Sequence, residues 1–241
     1  MKNILIPTTL APDTVGAVKT AIKHAGEKGC TLVLMLFCDA PDAYSAAEQL
    51  RRIMPESAPV QYDVLKQCRH AVALSNNCTM EVHHQYGLTG PLLRNLLEFK
   101  QIDFIVVPKS YKTAPEKIHK YCCKLLLNSK CPILLPGTVS DSAQMENALY
   151  LENDTCTLAL QDVEKLVNGK FPYRIVSCAM IGEMQDPEDL KPILAETIFK
   201  NDIDVLVQTR KHEKLKFTSK TRASVNEVMG LPVLSLYEGV V

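Results

Sequence analysis

The sequence predicts an α/β protein of two tandem, doubly wound parallel-sheet domains, the second shortened. Two observations predict it. Strand-like and helix-like segments alternate along the chain, the pattern of a parallel sheet covered by helices. A block reading as strand, basic loop, helix, strand also occurs twice. Its first copy opens with Ile102-Asp103-Phe104-Ile105-Val106-Val107-Pro108-Lys109 and closes with Cys131-Pro132-Ile133-Leu134-Leu135-Pro136. Its second opens with Ile203-Asp204-Val205-Leu206-Val207-Gln208-Thr209-Arg210 and closes with Leu231-Pro232-Val233-Leu234-Ser235-Leu236-Tyr237, offsets of 101 and 100 residues.

The elements follow in order. Ile4-Leu5-Ile6, ended by Pro7-Thr8-Thr9, reads as a buried parallel strand. Asp13 or Thr14 can cap the next helix, which places Val18, Ala21, Ile22 and Ala25 on one face. Gly29 stops it, and the apolar run 31–37 is a second, central strand. A short helix is expected at 43–54 and a better one at 60–74, with Val64, Cys68, Ala71 and Val72 at helical spacing. A third strand at 79–84 is broken by Gly87, and a helix at 90–100 turns Leu92, Leu93, Leu96 and Leu97 inward. The first block then gives a strand at 102–107, a helix at about 115–128 and a strand at 131–135.

The stretch 137–146 is polar, rich in turn formers and without periodicity, so it is the expected linker between domains at 1–136 and 147–241. The second half offers a strand at 148–151, a helix at 155–167, a strand at 173–181, a helix at 190–200 and the second block. It lacks one strand–helix unit of the first half, so four parallel strands are expected against five.

A length of 241 residues suits one large domain or two ordinary ones. Lys plus Arg and Asp plus Glu both total 27, a balance that gives no global electrostatic case for nucleic acid. No apolar run approaches the roughly 18 residues that cross a bilayer, and the apolar start is too short for a signal peptide. No membrane association and a cytoplasmic location are therefore expected. The nine Cys include no Cys-x-x-Cys pair, and most of them are expected as reduced, buried thiols.

Chemistry-bearing motifs are sparse. No Gly-x-Ser-x-Gly, His-Glu-x-x-His or Walker A pattern occurs, and no spacing isolates a triad, so an enzyme is the weaker class and no catalytic residue is named. Cys122-Cys123 on a helix suits core packing better than a redox bridge, because adjacent helical side chains diverge by about 100°. Cys68, Cys78, His83 and His84 match no zinc spacing, and no metal is expected.

The first half resembles the universal stress protein family. Ile4-Leu5-Ile6-Pro7-Thr8 fits its opening strand, and Gly29-Cys30-Thr31-Leu32-Val33-Leu34 its glycine and second strand. Asp103-Phe104-Ile105-Val106-Val107 fits its fourth strand, and 125–135, with its Cys-Pro pair, its last helix and fifth strand. The resemblance covers about 1–136 and, more weakly, 147–237. It implies a tandem, diverged chain with an adenine nucleotide alpha hydrolase-like fold and a role in stress response. The family's fifth strand commonly mediates dimer contact, so Ile133-Leu134-Leu135 and Val233-Leu234-Ser235-Leu236 are expected to pair as an intrachain pseudo-dimer, with a homodimer left open.

The chain departs from the family where nucleotide binds. ATP-binding members carry an acidic residue after the first strand, where this chain has Thr9, and Gly-x2-Gly-x9-Gly-Ser/Thr after the fourth. Here 109–135 contains no Gly, the Gly-Ser pair falls on His119-Lys120, and 209–229 also lacks Gly. Glycines there let backbone approach phosphates and donate N–H groups. Cofactor-free function is expected, with ATP or AMP held only in another way.

Lysines stand in their place. Lys109, Lys112, Lys117, Lys120 and Lys124 follow the fourth strand, and Arg210, Lys211, Lys214, Lys216, Lys220 and Arg222 follow its counterpart. Both segments lie at carboxyl ends of parallel strands, where open α/β sheets bind ligands. The candidate anion-binding residues are Thr8, Thr9, Lys109, Lys112, Lys120, Arg210 and Lys220. The competing reading is a set of solvated faces that keep the protein soluble. The expected function is non-enzymatic binding of a protein partner or a small phosphate-bearing ligand. The alternative is a nucleotide-binding, slowly hydrolysing protein using Thr8, Thr9 and the lysine loop. A third reading is an interaction module with closed pockets.

Overall fold

The computed structural model describes residues 1–25, 29–39, 59–137, 146–153, 156, 158–181, 187–211 and 229–240. The helix expected at 43–54, nearly all of the expected linker, and Lys220 lie outside the described residues. The chain divides into two compact units, Met1–Leu127 and Asn128–Val241.

In the first unit the elements are β1 (Lys2–Pro7), α1 (Asp13–Ala25), β2 (Cys30–Cys38), α2 (Pro59–Leu74), β3 (Cys78–Tyr86), α3 (Gly90–Phe99), β4 (Phe104–Val106), α4 (Lys109–Thr113) and α5 (Lys117–Leu127). The strands run in the order β3-β2-β1-β4, each pair parallel. Ile4, Leu5, Ile6, Leu32, Leu34 and Ile105 are wholly buried, as continuous apolar runs covered on both faces must be.

Two expectations are corrected here. The helix expected at about 115–128 begins at Lys117, and the loop before it holds the short helix α4. Pro115 causes the break, because its ring pushes Ala114 out of the helical region, to ψ 132. In α3 only Leu93 of the four expected inward leucines is buried, and Leu92 is exposed. Consecutive helix positions point about 100° apart, so Leu92 and Leu93 cannot share one narrow buried stripe.

In the second unit the elements are β5 (Ile133–Leu135), β6 (Asn147–Asn153), α6 (Leu160–Lys170), β7 (Arg174–Ile181), α7 (Pro187–Lys200), β8 (Val205–Arg210) and β9 (Val233–Tyr237), with a 3-10 turn at Glu238–Val240. The order is β5-β9-β8-β6-β7. The run β9-β8-β6-β7 is parallel, the expected four strands. Strand β5 pairs with β9 in antiparallel fashion, Ile133 opposite Ser235, Leu134 opposite Leu234 and Leu135 opposite Val233. Leu149, Leu151, Leu194, Ile203, Leu206 and Val233 form a core cluster. The helix expected from 155 starts only at Leu160, because Cys156 is held in a turn by its N–H bond to the Asn153 carbonyl, 2.7 Å, and Ala159 is extended.

One hydrogen-bond pattern recurs at the amino ends of the strands. The Asn3 N–H donates to the Asp103 carboxylate, 2.8 Å, and the Asp103 N–H returns to the Asn3 carbonyl, 2.8 Å. The Asn147 N–H donates to the Asp204 carboxylate, 3.2 Å, and the Asp204 N–H returns to the Asn147 carbonyl, 2.9 Å. The residues two before each aspartate, Gln101 and Asp202, both take a left-handed backbone, φ 49 and φ 47. No helix among the described residues is long and apolar enough to cross a membrane.

Candidate functional site

The carboxyl ends of β1 and β4 carry the first group of candidate residues. Thr8 is buried, and its hydroxyl lies 2.7 Å from the Thr14 hydroxyl and accepts the Leu10 N–H at 2.8 Å. That bond braces Leu10, whose φ of 59 is costly for a residue with a Cβ. Thr8 therefore shapes the turn. Thr9 is half-buried, and its carbonyl accepts from Gln61 Nε2 at 3.2 Å.

Asp13, expected only as a helix cap, joins this loop to the next. Its carboxylate accepts the Ser110 N–H at 2.8 Å and the Ser110 hydroxyl at 2.5 Å. The turn after β1 and helix α4 after β4 are thus tied together. The bond brings the Thr8–Thr9 loop and the Lys109–Lys112 segment to one crest. Lys109 and Lys120 are exposed, and Lys112 is half-buried.

Beneath the lysines lies a plug of side chains. Tyr111 is fully buried, its hydroxyl 3.3 Å from His119 Nδ1 and its ring centroid 4.9 Å from the imidazole. Cys122 is buried beside them, and the Cys123 thiol lies 4.0 Å from the Tyr111 carbonyl. Burial sets the charge state of all four. It raises the Tyr111 phenol far above its usual range, helped by Cys122, and raises Cys122 to about 12 and Cys123 to about 11. It lowers His119 against the opposing pull of Glu116. The group is neutral near pH 7. His119 and Lys120 stand where the family resemblance places a Gly-Ser pair, with His119 buried and Lys120 exposed.

In the second unit Arg210 serves as a clamp. Its guanidinium donates to the carbonyls of Ser235, Ser129 (3.0 Å) and Cys131 (2.6 Å), and it lies 5.8 Å from the Tyr237 ring centroid. Burial lowers its pKa to about 10. The guanidinium is thus engaged by the chain's own backbone carbonyls. At the ends of β6 and β8, Cys156 receives the Thr209 hydroxyl at 3.3 Å and sits 3.2 Å from the Tyr150 hydroxyl. Among the described residues no group of three or more His, Cys, Asp or Glu side chains is placed to hold a metal ion.

Tyr111 and His119 carry no sequence signal as a plug. The loop 109–113 holds a single aromatic residue among polar ones, so nothing in its periodicity marks Tyr111 as buried. Asp13 had a partial signal, its place at the start of a helix.

No protein-family model matches the chain, and no curated protein does. Solved structures do. A universal stress protein from Archaeoglobus fulgidus is similar over 99% of this chain and 97% of its own, with a TM-score of 0.53 at 11% identity. A putative universal stress protein from Pseudomonas aeruginosa aligns over 98% of this chain and 93% of its own, TM-score 0.46, 12% identity. A universal stress protein in complex with cAMP aligns over 56% of this chain and 95% of its own, TM-score 0.40, 18% identity. The first of these shows that the chain has the universal stress protein fold.

Proposed function

We propose that this chain is a tandem, diverged protein of universal stress protein type that acts in the cytoplasm by binding rather than by catalysis. Its ligand is a small phosphate-bearing anion, or an anionic surface of a protein partner, held by the side chains of Lys109, Lys112 and Lys120. ATP in the glycine-cradled mode is not its ligand. The observation that carries this reading is the buried Tyr111–His119 pair beneath exposed lysines. Backbone N–H groups reach a phosphate only where no side chain intervenes. Here His119 stands where the resemblance implies a glycine, and the segments on either side carry the Lys109, Lys112 and Lys120 ammonium groups.

Thr8 supports the same reading against a nucleotide at the first strand, since its hydroxyl is already engaged by Thr14 and Leu10. The recurring Asn–Asp bonds of the two units support the tandem origin. The test is a titration with a fluorescent nucleotide and with pyrophosphate at two salt concentrations, for the natural chain and a Lys109→Ala/Lys120→Ala variant. Saturable binding of both anions, weakened by salt and by the double substitution, is expected. Binding that requires the base and ignores both changes would overturn the reading.

A further inference from the structure

A thiol pair lies at the amino ends of β2 and β3, remote in sequence from the lysine loop and independent of the ligand reading. Cys30 opens β2 and Cys78 opens β3, and the two are opposite each other in the parallel register. Their sulfur atoms are 2.8 Å apart. Cys30 is wholly buried, and Cys78 is half-buried.

The backbone holds the pair in place. The Cys30 N–H donates to the Asn77 carbonyl at 3.1 Å, and the Cys78 N–H donates to the Ser75 carbonyl at 3.2 Å. Gly29 sits in the left-handed region at φ 72, where a Cβ would lie 2.3 Å from the Asn77 carbonyl oxygen. Only glycine allows β2 and β3 to start this close together. Neighbouring strands run about 4.8 Å apart, inside the roughly 4.4–6.8 Å Cα separation that a disulfide spans. Closure therefore needs side-chain rotation and no shift of the sheet. Both thiols are free in the structure.

We propose that Cys30 and Cys78 form a dithiol that hydrogen peroxide oxidises to a disulfide across β2 and β3. Cys78, the more accessible, reacts first. Its thiolate attacks a peroxide oxygen, the S–O bond forms as the O–O bond breaks, and the leaving hydroxide takes up the proton the thiol had released and departs as water, giving a sulfenic acid. The Cys30 sulfur then attacks the Cys78 sulfur, the S–S bond forms as the S–O bond breaks, and the hydroxyl leaves as a second water with the Cys30 proton. The sulfurs lose two electrons, and one peroxide is reduced to two waters. Burial keeps Cys30 a thiol well above neutral pH, so Cys78 rather than Cys30 meets the peroxide first. The product fastens β3, the outermost strand of the order β3-β2-β1-β4, to its neighbour.

The test oxidises the reduced full chain with hydrogen peroxide, blocks remaining thiols with iodoacetamide, digests without reductant and maps the peptides by mass spectrometry. The free thiols are expected to fall by two from nine, with a Cys30–Cys78 peptide that dithiothreitol reverses. In a Cys30→Ala variant, a sulfenic acid trapped by dimedone accumulates at Cys78. Oxidation scattered over other cysteines without that peptide overturns the proposal, and so does a disulfide formed only between copies of the chain. Both are read on the natural chain, so neither depends on a variant folding.

Discussion

The Tyr111 hydroxyl lies 3.3 Å from His119 Nδ1, and His119 is the first residue of the pair that the family resemblance matches to a Gly-Ser step. Both side chains are buried, so the contact is a stability element. Removing the hydroxyl alone strands a buried imidazole nitrogen. Tyr111→Phe is expected to cost about 1–3 kcal/mol, and Tyr111→Ala, which also leaves a cavity, about 3–5 kcal/mol. Urea denaturation of the two variants beside the natural chain checks both. Equal stability of Tyr111→Phe and the natural chain would show that the hydrogen bond does not matter.

Stability should fall with acid from a higher pH than carboxylates alone would give. His24 is 1% exposed, and burial, with smaller contributions from Lys2 and Lys23, lowers its pKa to about 3. His119 shifts the same way, chiefly through burial. In the unfolded chain a histidine takes up a proton near its ordinary value of about 6.5. The unfolded state thus binds more protons over the window from about 6.5 down to about 3. The stabilisation is fully present above that window and lost as pH falls through it. For His24 the slope is on the order of 1 kcal/mol for each pH unit. Denaturation midpoints measured between pH 7 and pH 4 test this, and a flat profile would contradict it.

Arg210 carries a different expectation from the lysines. Its guanidinium bridges the carbonyls of Ser129, Cys131 and Ser235, joining the approach to β5 with β9. Arg210→Lys cannot reproduce a planar fork on several acceptors. The substitution is expected to destabilise the second unit by about 2–4 kcal/mol, with faster hydrogen exchange at Leu134 and Leu234. Anion affinity should stay unchanged. A variant that lost anion binding and kept its stability would restore Arg210 as a ligand residue.

The strands were legible because their physics is local. Ile4-Leu5-Ile6 and the run 31–37 are apolar without alternation, which only a doubly covered strand satisfies. The β5–β9 pairing was also reached beforehand, on the family resemblance. Helix α4 leaves little trace in the sequence, because five residues, Lys109–Thr113, are too few to show an apolar period. The site was legible as a place and poorly as an arrangement. Parallel-sheet topology led to the expectation that Thr8, Thr9 and the lysine loop lie at the carboxyl ends of strands. It did not reveal that Thr8 and Arg210 are engaged by their own surroundings, because a hydroxyl or guanidinium has the same letter whether it faces backbone or solvent. Tyr111 and His119 were silent for the same reason: their burial is created by tertiary packing.

The central claim is that lysine side chains, not a backbone cradle, provide the anion contact. Calorimetric titration of the natural chain and of Lys109→Ala/Lys120→Ala with pyrophosphate, at low and at physiological salt, tests it most directly. The account predicts saturable binding at low salt, weakened at physiological salt and lost in the double variant. No saturable binding at low salt, or binding that survives both lysine substitutions undiminished, would contradict it.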